Sequence, residues 1–121
     1  MIWIVAFHED FMPEFQSFSD RVQDAIFARA GLLEREGPQL SRPFADTLAG
    51  STYANMKELR VSADGGVWRV AFAFDPERRA ILLVAGNKTG RDQRRFYKLP
   101  IATAEARYAS HLHEIGTRKN R

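Results

Sequence analysis

Arg60 and Arg69 are the residues whose chemistry stands out first, because the sequence between them fixes how they meet. Two strand-like runs, residues 55–62 and 67–74, flank Ala63-Asp64-Gly65-Gly66, and an Asp-Gly pair between such runs is a strong signal for a two-residue hairpin turn. With Asp64 and Gly65 at the centre of the turn, Ser62 faces Val67, Val61 faces Trp68 and Arg60 faces Arg69. Alternation then sorts the hairpin into two faces. Leu59, Val61, Trp68, Val70, Phe72 and Phe74 make the core side, while Glu58, Arg60, Arg69, Ala71 and Ala73 share the other. A three-residue loop would set Arg69 among Leu59 and Val61, and is rejected for that reason. Like charges directly opposite on a sheet are destabilising, by about 3 kcal/mol at roughly 6 Å and an effective dielectric near 20. Two explanations stand for such a pair. Either Glu58 bridges the arginines, or both extend into water, and the site is structural; or the pair is an anion seat, since Arg grips phosphate in bidentate fashion and small Ala neighbours leave room for a ligand backbone. Repulsion alone makes Arg69→Ala neutral or slightly stabilising.

A second group of cations follows the last strand-like run. From Lys88 to Lys98 the chain reads KTGRDQRRFYK, with five cations, Lys88, Arg91, Arg94, Arg95 and Lys98, against the single carboxylate of Asp92. Phe96 and Tyr97 lie among them, so the segment offers both phosphate contacts and a stacking surface for unpaired bases. The plain alternative is a solvated basic loop with Phe96 in the core. Residues 9–24, by contrast, carry more acid than base, and this asymmetry within a net charge of +3 favours a polyanion on one face. His8, His111 and His113 are scattered, and the last two are too close in a helix to share a face. No His/Glu metal motif, serine nucleophile elbow or phosphate-cradling glycine loop occurs, so neither a metal nor a cofactor is expected.

These residues need a scaffold, and 121 residues with 45% hydrophobic content suffice for one domain spanning 1–121. The absence of cysteine excludes a disulfide framework, a Cys-based zinc site and a thiol nucleophile. The N-terminus lacks a signal-peptide pattern and no apolar run approaches the roughly 18 residues of a membrane span, so a cytoplasmic protein is expected. Residues 2–7 read as a first strand. Phe15, Phe18, Val22, Ile26, Ala30 and Leu33 form one helical stripe within residues 13–36, stopped by Gly37 and Pro38; a cap at Ser17 or Ser19 would make it two helices. Residues 38–54 read as a surface loop. Residues 80–86, nearly all apolar, read as a buried central strand. The tail from about Leu99 to Ile115 puts Ile101, Ala104, Tyr108, Leu112 and Ile115 on one helical face, with a solvated end after Gly116, and a short helical piece at 94–98 is a further option. The order gives an α+β domain, a mostly antiparallel sheet with an N-terminal helix or helix pair and a C-terminal helix, one sheet face covered and the other open.

Met56-Lys57-Glu58-Leu59-Arg60, Trp68-Arg69-Val70-Ala71-Phe72, Leu82-Leu83-Val84, and Lys88 followed by Arg95-Phe96-Tyr97 resemble, in this order and over nearly the whole chain, the HigB-like, phage-derived Gp49-like branch of the RelE/ParE toxins. The resemblance implies a RelE-like, microbial-ribonuclease-like sheet. It also implies a toxin of a type II toxin-antitoxin system that cleaves mRNA on the ribosome without a metal. Arg60, Arg69, Lys88 and Tyr97 match the catalytic positions, with Lys57, Arg91, Arg94, Arg95 and Lys98 as RNA-binding cations. Tyr97, Asp92 and Glu58 are the local candidates for proton transfer, and Tyr97 is preferred. The implied partners are mRNA, the ribosome and a cognate antitoxin, expected as a helix-turn-helix protein encoded next door. The same fold also serves ParE-like toxins that inhibit gyrase without cutting RNA, and inactive relatives that only bind RNA or antitoxin.

Overall fold

The computed structural model describes residues 2–88 and 99–119. Strand β1 (Ile4–Phe7) leads into α1 (Phe11–Gln16) and α2 (Asp20–Glu36), followed by a 3-10 turn (Gly37–Gln39). Strands β2 (Ala45–Thr47), β3 (Met56–Ala63), β4 (Gly66–Phe74) and β5 (Arg79–Lys88) come next, and α3 (Ile101–Lys119) closes the described chain. Among the described residues the five strands form one sheet in the order β1-β5-β4-β3-β2, antiparallel except where β1 runs parallel to β5.

The long helical stripe is split in two, because Ser19 adopts extended dihedrals and its hydroxyl accepts a hydrogen bond from the Val22 amide. The same hydroxyl donates to Asp64 Oδ2 at 2.6 Å, tying the start of α2 to the β3–β4 turn. Gly37 ends α2 with φ +59, and a Cβ there would overlap the indole of Trp3, so both conformation and space demand glycine. Val22, Ile26, Ala30 and Leu33 are the buried stripe of α2. Val22, Ile26 and Leu33, with Phe11 and Phe15, pack on Leu59, Val61, Val70 and Phe72, the core side of the hairpin.

Several expectations change. The stretch 38–54 is not loop throughout, since β2 pairs Ala45, Asp46 and Thr47 with Leu59, Glu58 and Lys57. β5 extends through Lys88, which stands opposite Val67 in the ladder rather than in a loop, and β4 is the centre of the sheet with β5 as an inner neighbour. Above all, the second sheet face is not open along its length. Met56, Ala71, Ala73, Ile81 and Leu83 form a second buried cluster with Leu99, Ala104 and Tyr108, so α3 covers that end of the face. The helix also runs past Gly116 to Lys119. No helix among the described residues is long and apolar enough to cross a membrane.

Candidate functional site

The β3–β4 hairpin is tight because Asp64 (φ 52) and Gly65 (φ 71) both occupy the left-handed region that a type I′ turn requires. Its register places Arg60 directly opposite Arg69, Val61 opposite Trp68 and Ser62 opposite Val67, as the turn chemistry dictates. Glu58, opposite Ala71, shares the arginine face.

Glu58 bridges the two arginines, as the structural reading of the pair expects. Its side chain is 6% exposed, with Oε1 3.5 Å from an Arg60 terminal nitrogen and Oε2 3.2 Å from Arg69 Nε. Asp46 on β2, the backbone partner of Glu58, lies 3.6 Å from Arg60 and accepts a 2.7 Å hydrogen bond from Arg42. That bond foremost, then the Thr47 amide, holds the Asp46 carboxyl below the ordinary carboxylate range. Five side chains thus alternate in sign across three strands and the loop before them: Arg42, Asp46, Arg60, Glu58, Arg69. Three cations against two anions leave the row cationic. Arg60 and Arg69 keep 33% and 28% of their side-chain surface, so each guanidinium can turn donors outward while its inner edge stays on Glu58.

The alanines next to the arginines do not leave room for a ligand. Ala71 and Ala73 are fully buried with Leu99, Ala104 and Tyr108, and what they admit is α3. The helix stops short of the arginine pair. Between its start and the β2–β3 connection lies a cavity of 590 Å³ lined, among the described residues, by Leu48, Ala49, Arg69 and residues 99–102.

Other expected site residues stand apart or beyond view. Lys57 pairs with Phe72 and Thr47, one register step from Glu58, which places it on the Leu59 face and away from the arginines. Lys88 ends β5 two positions after Gly86, the partner of Arg69; its side chain lies outside the described residues. So do Arg91, Asp92, Arg94, Arg95, Tyr97 and Lys98, together with the short helical piece expected at 94–98. The buried tyrosine Tyr108 is occupied, its hydroxyl accepting from Asn55 and donating to the Phe74 carbonyl at 3.0 Å. Burial foremost raises its pKa, which suits a structural donor and not a base. His111 also has a structural place, 2.7 Å from buried Asp75. Among the described residues no group of three or more His, Asp or Glu is placed to hold a metal ion. Asp46 and Arg42 were not singled out from sequence; their spacing of four was the available signal.

The family described as "Phage derived protein Gp49-like (DUF891)" matches residues 13–109. Two Mycobacterium tuberculosis H37Rv proteins named as candidate toxins, HigB2 and HigB3, are each 47% identical to this chain, over 90 and 88 residues. The matches cover 74% and 70% of the chain. The aligned part is 44% of HigB2 and 75% of HigB3, so the chain spans less than half the length of the first. A solved structure of an Escherichia coli toxin RelE mutant in the free state superposes with a TM-score of 0.58 over 93% of this chain and 99% of that one. At 10% identity that likeness establishes the fold.

Proposed function

We infer the activity of this chain from the family to which it belongs, the phage-derived Gp49-like proteins of the HigB-like branch of RelE/ParE toxins. On that footing it is a toxin of a type II toxin-antitoxin system that cuts mRNA on the ribosome and stops translation. RNA carries its own nucleophile, the ribose 2′-OH, so the protein has three tasks: accept that proton, stabilise the charge on the pentacoordinate phosphorus, and protonate the departing 5′-oxygen. The substrate supplies the attacking atom, which is why a metal-free mechanism suffices.

Arg60 and Arg69 meet the second task. They are opposed across the hairpin, held in place from below by Glu58, and retain exposed surface. This opposed pair, each member within ion-pair distance of Glu58, is the observation that carries the proposal, since donors positioned before the reaction need less reorganisation as charge develops. Lys88, at the end of the adjacent strand, is assigned to the same phosphate. Tyr97 is assigned to proton transfer. A tyrosine near pKa ~10 is a poor base at neutral pH, so this assignment rests on the match to the family's tyrosine position. Arg91, Arg94, Arg95 and Lys98 are assigned to the RNA backbone. Lys57, on the other face, is at most a contact to a strand passing the sheet edge.

Ribosomes and mRNA place this activity in the cytoplasm, and a cognate antitoxin, expected as a helix-turn-helix protein encoded alongside, silences it by covering or distorting the cationic face. Primer extension on mRNA from expressing cells tests the proposal. The wild-type chain should give discrete 5′ ends within codons, and Arg69→Ala should give none and lose toxicity. DNA-damage signalling without such ends would instead indicate a ParE-like gyrase inhibitor, and wild-type-like cuts by Arg69→Ala would remove that residue from the site.

A further inference from the structure

The cavity beside Arg69 has a chemistry that phosphate binding does not use. Apart from Arg69, its described lining is Leu48 and Ala49 from the β2–β3 connection and Leu99, Pro100, Ile101 and Ala102 from the start of α3. We propose that it seats one nucleobase of the RNA strand whose phosphate lies on Arg69. The proposal rests on the RNA-cleaving function inferred above and adds a subsite to it.

Three observations carry it. The first is position: the cationic floor and the aliphatic walls belong to one cavity, so a phosphate held by the guanidinium delivers its own nucleoside to the walls. The second is chemistry. Aliphatic walls accept the flat face of a base and offer nothing to a second phosphate or to sugar hydroxyls. A volume of 590 Å³ lies inside the usual range of small-molecule pockets, about 300–1,000 Å³. The third is rigidity. Glu105 on α3 accepts hydrogen bonds from Ser51 Oγ (2.9 Å), the Thr52 amide (2.6 Å) and Thr52 Oγ1 (2.8 Å), which locks one wall to the other. Gly50, at φ +93, gives the loop a backbone conformation that other residues rarely adopt, and brings it into van der Waals range of Ile101. The walls are therefore fixed before a ligand arrives, which lowers the cost of binding. Among the described residues the walls carry no donor or acceptor side chain except Arg69, so what they offer a base is contact with its face.

The test compares a short single-stranded oligoribonucleotide with a ribose-phosphate strand of equal length lacking bases, titrated against the full chain and followed by the methyl NMR signals of Leu48 and Ile101. Wild type should bind the base-bearing strand at least about fivefold more tightly, on the order of what covering roughly 40 Å² of base face with aliphatic walls supplies, with the shifts concentrated at those two residues. Ala102→Leu and, from the opposite wall, Ala49→Leu fill the cavity from exposed positions without adding an aromatic face, and either should bring the ratio of the two affinities toward one. Equal wild-type affinities, or an unchanged ratio in both folded variants, would overturn the subsite and leave phosphate binding standing. If neither strand binds in a salt-dependent way, RNA binding itself fails, and the subsite with it.

Discussion

Two guanidinium groups that face each other across a hairpin repel, and the carboxylate of Glu58 beneath them reverses the consequence of removing either one. Repulsion alone would make Arg69→Ala neutral or slightly stabilising, but the loss of Arg69 leaves a 6% exposed carboxylate with only Arg60 on that strand pair to neutralise it, so the variant should be less stable than wild type. Glu58→Gln keeps the shape and removes the charge. It should cost about 1–3 kcal/mol, below the 3–5 typical of a broken fully buried pair because both arginines are partly solvated. The loss should shrink as salt screens the arginines, whereas wild-type stability changes little; thermal melts of both proteins at low and high salt check this. The arginine pair was legible because Asp64 and Gly65 admit one turn type and therefore one register. Asp46 was not, because a three-residue edge strand inside a segment rich in Pro, Ser and Thr leaves no periodic trace. Alternation from Leu59 does assign Lys57 to the core face, and its place among the RNA contacts came from the family resemblance, which carries residue type without orientation.

At the scale of elements, α3 decides how much of the second sheet face a ligand can use. Its stripe of Ala104, Tyr108 and Ile115 is buried, and α1 and α2 already occupy the other face, so the arginine face is where it docks. The helical period was legible; the face that receives it depends on competition between elements distant in sequence. Polar ties fix the docking. Arg107 holds Glu14 of α1 through two hydrogen bonds of 2.9 and 2.6 Å and the Leu83 carbonyl at 2.8 Å, while His111 and Arg79 both engage Asp75 at the β4–β5 turn. Burial foremost would raise the Asp75 pKa, and the His111 bond with the Arg79 amide and charge outweighs it, leaving the carboxyl below its ordinary value. Glu14 is likewise lowered, chiefly by its bond to Arg107. A depressed carboxylate contributes stability that is complete above its unfolded pKa, about 3.9 for Asp and 4.3 for Glu, and is lost as pH falls through the folded value. Melting temperature should therefore hold from neutrality to about pH 5 and decline below about pH 4. Asp75→Asn should melt lower at neutral pH with a shallower acid decline. An acid decline as steep as that of wild type would show that Asp75 does not pin α3.

The whole molecule separates its charges. Residues 9–24 hold five carboxylates and one arginine, and the longest basic run begins where β5 ends, next to the arginine hairpin. Helices on both sides of the sheet leave the Arg60–Arg69 end of one face part-exposed, with the apolar cavity at its border. The α+β class and hairpin pairing followed from sequence because they rest on local patterns; the extent of the open surface did not, because it depends on where α3 comes to rest. Cleavage in a purified translation system, with mRNA programmed on ribosomes and its 5′ ends mapped, tests the central claim most directly. Cuts in the codon at the ribosomal A site by wild type, reduced at least about a hundredfold in both Arg60→Ala and Arg69→Ala as for lost transition-state charge donors, are the predicted result. Intact mRNA with wild-type protein, or cutting by both variants at the wild-type level, would contradict it.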